Sequence, residues 1–361
     1  MPHGQAMGGA QGASATGQTA GEHYKNIQVL KDIPADQLLP TMTFFTASLG
    51  VECDFCHVRT TVNGRPELEP EKDDKQAKLT ARKMIAMTFD INKANFNARP
   101  QITCYSCHRG ANEPVGTPII SDLETPPTPP GPPPANMPTA DQILAKYVQA
   151  VGGEDAYNKV TTRVEKGNIS FQGQQVPITI YTKAPYMRMS ITQMGQGQSI
   201  TAFDGSAGWL GGGRGGPRDM NAQEDVAAKL DADFHFATDL KQSLTRLRMA
   251  RPDKIGDTEY YVLVGLASDN TPVRLYFDEN SGLLVREIRY AQGPIGRLPT
   301  QIDFADYRDT DGVKIPYKWT LARVNGRFTI QLDSVQQNVP IDDSKFQKPA
   351  AASGGPGSSQ N

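Results

Sequence analysis

The chain has no surplus cysteine, no long apolar run and no marked excess of either charge. Its 361 residues contain only four cysteines, Cys53, Cys56, Cys104 and Cys107. They form two close pairs that leave none over for a structural disulfide, so the redox compartment cannot be read from disulfide density. No stretch approaches the roughly 18 consecutive apolar residues that a membrane-crossing helix needs. Lys and Arg number 37 against 39 Asp and Glu, a net charge of -2. That balance gives no basic field for nucleic acid and no acidic tail. Catalytic signatures are missing too: there is no Ser-His-Asp or paired-carboxylate constellation. The glycine run at 211–216 lacks the Lys-Ser/Thr and the strand–helix setting of a phosphate loop. Residues 1–22 carry no charged start followed by an apolar core, so they do not read as a signal peptide but as a flexible leader.

The 34 glycines and 27 prolines gather at the two ends and in one central stretch, which marks linkers. This divides the chain into a disordered leader (1–22), a motif-bearing module (23–118), a Pro-rich linker (119–138), a larger domain (139–347) and a disordered tail (348–361). The proline run at 126–134 predicts a semi-rigid extended spacer. In the module, Leu38, Met42, Phe45 and Leu49 recur on one helical stripe that Gly50 terminates. A second helix is expected over about 74–95, with Ala81, Met84, Met87 and Ile91 as its apolar face. The larger domain begins with a helix capped by Thr139 and Gln142 and ended at Gly152-Gly153. Strands are expected at 164–171, 177–182, 187–192 and 200–203, a helical insert at 222–249, then strands at 260–265, 273–277, 283–290, 300–307, 314–323 and 327–334. The expected architecture is therefore multidomain: a mainly α module, then an α+β domain with a curved, half-closed antiparallel sheet.

The cysteines carry the chemistry. Cys53-Asp54-Phe55-Cys56-His57 and Cys104-Tyr105-Ser106-Cys107-His108 are two Cys-x-x-Cys-His motifs. Thiols about one helical turn apart can meet the two vinyl groups of a haem, and the following imidazole becomes the fifth iron ligand. Two such motifs that consume every cysteine favour two covalently attached haem c groups. A four-thiolate zinc site built from the same pairs is the second reading, but zinc gives no reason for a histidine after each pair. A redox-active dithiol is the third, and it lacks the βαβ setting such a dithiol needs.

Five histidines are present. His57 and His108 belong to the motifs, while His3, His23 and His235 read as solvated or locally hydrogen-bonded side chains. The sixth iron ligands should therefore come from methionine, which raises a haem potential. Met42, Met84 and Met87 are the candidates, and from spacing alone each is equally a plain core methionine. Phe44, Phe45, Leu49, Phe55, Phe89, Phe96 and Tyr105 are expected to enclose the haems. Arg82, Arg99 and Arg109 are candidates for pairing with haem propionates. With both irons closed by His and Met no position is open to substrate, so the expectation is an electron carrier and not an enzyme.

At these residues, over about 24–118, the sequence resembles the cytochrome c subunit of photosynthetic reaction centres. The segment 42–51 leading into Cys53 looks like one repeat of that family. Residues 81–87, then Ile91-Asn92, then 102–110, are the closer match to another. The resemblance implies Met42 and Met84 as distal ligands, with Met84 in the place of the first methionine of its pair. Family members of purple bacteria carry four haems, whereas this chain has cysteines for two. It also implies other redox proteins as partners and a periplasmic or cell-envelope location, although the secretion signal expected there is not within this sequence. From about 140 to 340 the pattern resembles the outer-membrane lipoprotein-sorting (LolA-like) fold. Residues 204–209, 275–278, 282–286, 306–308 and 312–316 carry that likeness, which implies an apolar concavity for a lipid or a peptide.

Overall fold

The computed structural model describes residues 17–118, 120, 134, 136–171, 173–195, 197–212, 216–293, 296–324 and 326–349. The expected leader up to residue 16, the proline run apart from Pro134, the centre of the glycine run and the tail from 350 lie outside the described residues. The chain divides into two compact units, Met1–Gly116 and Thr117–Asn361.

The first unit is helical, with one hairpin. Its elements are α1 (Ala20–His23), α2 (Leu38–Leu49), α3 (Cys53–Cys56), β1 (Val58–Val62), β2 (Arg65–Glu69), α4 (Gln76–Asn95) and α5 (Cys104–His108). Folded structure begins before residue 23. Thr19 and Glu22 cap α1 reciprocally, and Ala20 is fully buried. Pro40 falls in the first turn of α2, where its missing N–H has no helical partner to lose. Gly50 ends that helix in the left-handed region (φ 65°) and returns its N–H to Thr46 O. Leu38, Met42 and Phe45 of α2 pack with Leu30 and with Ile85 of α4 in the core of this unit.

Two features differ from the sequence expectation. The segment after the first motif is a β-hairpin, turned by Asn63 and Gly64 at φ 49° and 75°. Asn-Gly between two β-favouring runs is the strongest short hairpin signal, because both turn positions need positive φ. The buried face of α4 is Lys78, Ile85 and Asn92, not the methionine face. Met87 is 44% exposed and Met84 half-buried. Burial of Lys78 and Asn92 is possible because each is saturated with hydrogen bonds.

The second unit starts with α6 (Ala140–Ala150), whose Thr139 hydroxyl accepts from Gln142 N, and α7 (Glu154–Asn158). A first meander follows: β3 (Thr162–Phe171), β4 (Gln174–Lys183), β5 (Met187–Met194), β6 (Gly197–Asp204), β7 (Gly208–Gly211) and β8 (Arg218–Asp219). The helices α8 (Ala222–Ala232) and α9 (Phe236–Ser243) interrupt it. A second meander comprises β9 (Thr245–Met249), β10 (Asp253–Ile255), β11 (Thr258–Leu266), β12 (Pro272–Asp278), β13 (Leu284–Gly293), β14 (Gly296–Thr310), β15 (Val313–Arg323) and β16 (Gly326–Gln337). The helical insert is thus shorter than expected, because its last residues pair with β11 as β9.

All pairings are antiparallel, and β16 pairs with β3, so the two meanders join into one 14-stranded sheet. One end is the two-residue β8, the other is shared by β10 and β9, three and five residues long and both on β11, and the two ends do not pair with each other among the described residues. The curved sheet is therefore open, and short edges limit edge-to-edge association. Ile143, Leu144 and Tyr147 of α6 and Leu240 of α9 pack on Leu263, Leu275 and Phe277. A buried Leu→Ala change in such a core costs about 2–5 kcal/mol. The residues that carried the second resemblance hold the sheet together. Asp204 Oδ1 accepts from Ser206 N and Ala207 N, Tyr307 donates to Leu284 O (2.7 Å), and Trp209 donates to Phe346 O (2.8 Å).

Candidate functional site

Both motifs fold as single helical turns, so the two thiols of each pair stand one turn apart on one side. His57 follows α3 in extended conformation (φ -108°, ψ 145°), and its N–H donates to Cys53 O at 3.0 Å. His108 is the last residue of α5. Arg109 then turns left-handed (φ 51°) and donates its N–H to Tyr105 O. Among the described residues no three His, Cys, Asp or Glu side chains converge as a metal-binding group. The four thiols therefore stand as two separate pairs and not as one tetrahedral set, which goes against the zinc reading.

The second motif is held mainly by backbone contacts. His108 Nδ1 lies 3.0 Å from Ala111 O, so the Nδ1–H tautomer donates there and Nε2 keeps its lone pair for a metal. Gly110 N donates to Ser48 O at 2.9 Å, which ties the turn after His108 to the end of α2. A Cβ on Gly50 would meet Gly110 O at 2.1 Å, so only glycine fits this crossing. Ahead of the motif, Thr103 and Ser106 form a capping box. Asn92 of α4 donates to Ile102 O (2.7 Å) and accepts from Gln101 N (3.0 Å) and Ile102 N (2.9 Å).

Charged side chains surround the first motif instead. Lys78 Nζ donates to Pro70 O (2.7 Å) and Lys72 O (2.8 Å) and pairs with Asp73 (2.8 Å). Arg82 binds the other oxygen of Asp73 at 2.8 Å and also Asn26 O. Hydrogen bonds from Arg82, Lys78 and Asn26 hold the Asp73 carboxyl far below its usual range. Lys75 Nζ donates to Asp54 O, inside the motif itself. Pro70 O, which accepts from Lys78, also faces the His57 ring, while His57 Nδ1 is buried and makes no direct hydrogen bond. Burial first, then the nearby Lys78 charge, keep His57 below its ordinary pKa. Burial pushes the Cys56 and Cys104 thiols up. A neutral imidazole is the form that ligates a metal.

The methionines lie beside these turns. Met42 and Met84 are half-buried on α2 and α4, whereas Met87 is exposed. α3 packs against α4, and α5 packs against both α2 and α4, so each motif contacts the helix of the other repeat. Arg82 is committed to Asp73 and Asn26, while Arg99 and Arg109 are exposed. His23 faces Gln18 Oε1 at 3.2 Å and His235 faces Val160 O at 2.9 Å, so both are locally bonded; His3 lies outside the described residues. Nine of the thirteen exposed large apolar side chains among the described residues fall in the first unit. They include Phe44, Phe55, Phe89, Phe96 and Tyr105. A haem fits this arrangement: paired thiols one turn apart, an imidazole after each pair, and apolar surface around them.

Residues 4–131 match the model of the photosynthetic reaction centre cytochrome c subunit family. The reaction centre cytochrome c subunit of Roseobacter denitrificans is 36% identical over 105 residues, 27% of this chain and 27% of that protein. That of Thermochromatium tepidum is 34% identical over 103 residues, 27% of this chain and 23% of the relative. The chain thus spans about a quarter of the length of these curated relatives. Among solved structures, a LolA superfamily protein from Nitrosomonas europaea covers 59% of this chain and 99% of its own, with 14% identity and a TM-score of 0.43. A DUF1329 family protein from Desulfovibrio piger covers 57% and 96%, with 10% identity and a TM-score of 0.40. The first unit is therefore similar to reaction centre cytochromes.

Proposed function

We propose that the first unit is a two-haem c-type electron carrier. Cys53 and Cys56 would attach one haem and Cys104 and Cys107 the other, with His57 and His108 as proximal ligands and Met42 and Met84 as distal ligands. When bound, each haem supplies a one-electron iron couple. The protein's part is to fix the ligands and set the polarity around them. The Ala111 carbonyl fixes the His108 tautomer, and the packing of α3, α4 and α5 keeps both turns in one small unit. Met42 and Met84 as distal ligands would raise the potential and leave no place for substrate, which supports a carrier over an enzyme. The observation that carries this reading is the pair of one-turn helices, each presenting two thiols and then a histidine.

The partners in this reading are other redox proteins of a bacterial periplasm or cell envelope, with the second unit as a docking domain. The alternative is an envelope protein that binds a lipid or a peptide and uses the haems as a redox sensor. An acyl chain or peptide on the inner face of the sheet would have to displace α6 and α9, which fill part of it with packed side chains. One cleft of about 330 Å³ lies beside α6 and α9 and is rimmed by Asp141, Lys241 and Arg246, a polar edge. Replacing each cysteine pair by serine in turn is the test. Either double variant should keep half the covalent haem and one redox couple. Full haem in either variant would refute the assignment.

A further inference from the structure

We propose that Asn92 is a positioning residue that registers the second cysteine motif against α4, so that the iron held by His108 is closed by an α4 side chain. This rests on the two-haem reading above. Asn92 is only 5% exposed, and both polar atoms of its amide are used on two consecutive backbone units just ahead of Thr103 and Cys104. Its own carbonyl accepts from Phe96 N (2.9 Å) and Ala98 N (3.0 Å), ending the helix where Asn97 and Ala98 turn left-handed. One residue therefore fixes both the departure of the loop from α4 and its return to α4 immediately before the motif.

The chemistry at this position is narrow. A carboxamide can accept from two N–H groups and donate to a carbonyl at the same time. An aspartate of equal size cannot donate, and it would set a negative charge against Ile102 O. Alanine would take the side-chain partner from Ile102 N–H and Ile102 O, while Gln101 N–H would keep only Arg99 O. Asn is a weaker helix former than Ala or Leu, so helix propensity does not explain its presence. Asn92 shares the buried face of α4 with Ile85, one residue beyond Met84. The clamp thus sets the distance between the helix that carries Met84 and the turn that carries His108.

The test uses the full haem-loaded chain and the variants Asn92→Ala and Asn92→Asp. Asn95→Ala serves as control, since Asn95 is exposed on the same helix and bonded only to Ile91 O. Three quantities are read: covalent haem per chain, the methionine-to-iron charge-transfer band of the ferric protein, and carbon monoxide binding by the ferrous protein. Both Asn92 variants should keep two attached haems, lose about half of the band and bind carbon monoxide at one haem, while Asn95→Ala matches the parent. Full band and no carbon monoxide binding in both Asn92 variants would overturn the proposal. Should the variants fail to accumulate, amide exchange in the parent decides. Ile102 N–H protected like the middle of α4 supports the clamp, and rapid exchange there refutes it. A parent without covalent haem sinks the two-haem reading, while the exchange result still judges the clamp itself.

Discussion

The two cysteine motifs share the same five-residue spacing, yet the protein holds them by different means. Around Cys104–His108 the restraints are neutral and mostly backbone: the Ala111 carbonyl on His108, the crossing of Gly50 and Gly110, and the Asn92 amide. Around Cys53–Cys56 they are ionic: Lys78, Asp73 and Arg82 tie α4 to the loop after the hairpin, and His57 Nδ1 has no acceptor. An imidazole that donates to a carbonyl is a more basic ligand than one that does not. Cations beside a metal group disfavour the more positive oxidised state. With a haem at each motif, as proposed, the first site should have the higher potential.

The largest expected effect comes from Gly50→Ala. The new Cβ would overlap Gly110 O and occupy left-handed backbone, so the first unit should lose upwards of about 3 kcal/mol of stability. Thermal unfolding should show that loss with the second unit unchanged; an unaltered melting profile would break the backbone half of the comparison. Lys78→Met should come next. It removes a buried cation beside the first motif, which should lower one potential. A redox titration should show one of two couples fall and the other stay. Equal movement of both, or of neither, would erase the distinction between the sites.

A third expectation contrasts the second unit with the first. Burial raises the Asp233 carboxyl from its ordinary 3.8 to about 6, although Ser243 donates to it. Its other oxygen is buried without a partner, and Asp239 and His235 lie close by. The native state therefore binds the proton more tightly than the unfolded chain. Stability is greatest below about pH 4 for this group and falls as pH rises through about 6. The loss amounts to about 3 kcal/mol at most. Asp233→Asn should flatten that slope in denaturant titrations between pH 4 and 8, with no change in the haem spectrum. The smallest effect is expected from Lys83→Gln, an exposed charge on α4, which should leave both potentials and the stability within about 0.5 kcal/mol.

Local signals made most of the architecture legible. Gly50 stops α2 where expected, Thr139 and Gln142 cap α6, and the ten expected strands are present, whereas the short strands β7, β8, β9 and β10 were not expected. The joining of β16 to β3 was not legible, because that pairing links residues far apart in the chain. The buried face of α4 was misplaced because hydrophobic pattern cannot foresee a lysine and an asparagine buried by backbone carbonyls and amides. Asn63-Gly64, by contrast, is a local hairpin signal within a module expected to be mainly α. At the site, the five-residue spacing gave the thiols and the histidines. The Asn92 clamp and the Lys78 network depend on loops folded back onto α4, which no periodicity encodes. Phe44, Phe55, Phe89, Phe96 and Tyr105, expected around the haems, are exposed on the first unit, on the surface that a haem fits.

The central claim is that every cysteine of the chain is spent on haem. Intact mass of the unfolded full chain, read together with a pyridine haemochrome assay, tests this most directly. The account predicts two haems per chain that survive denaturation and acid extraction, and no free thiol. A chain with four titratable thiols and no bound haem, or one that retains zinc, would contradict it.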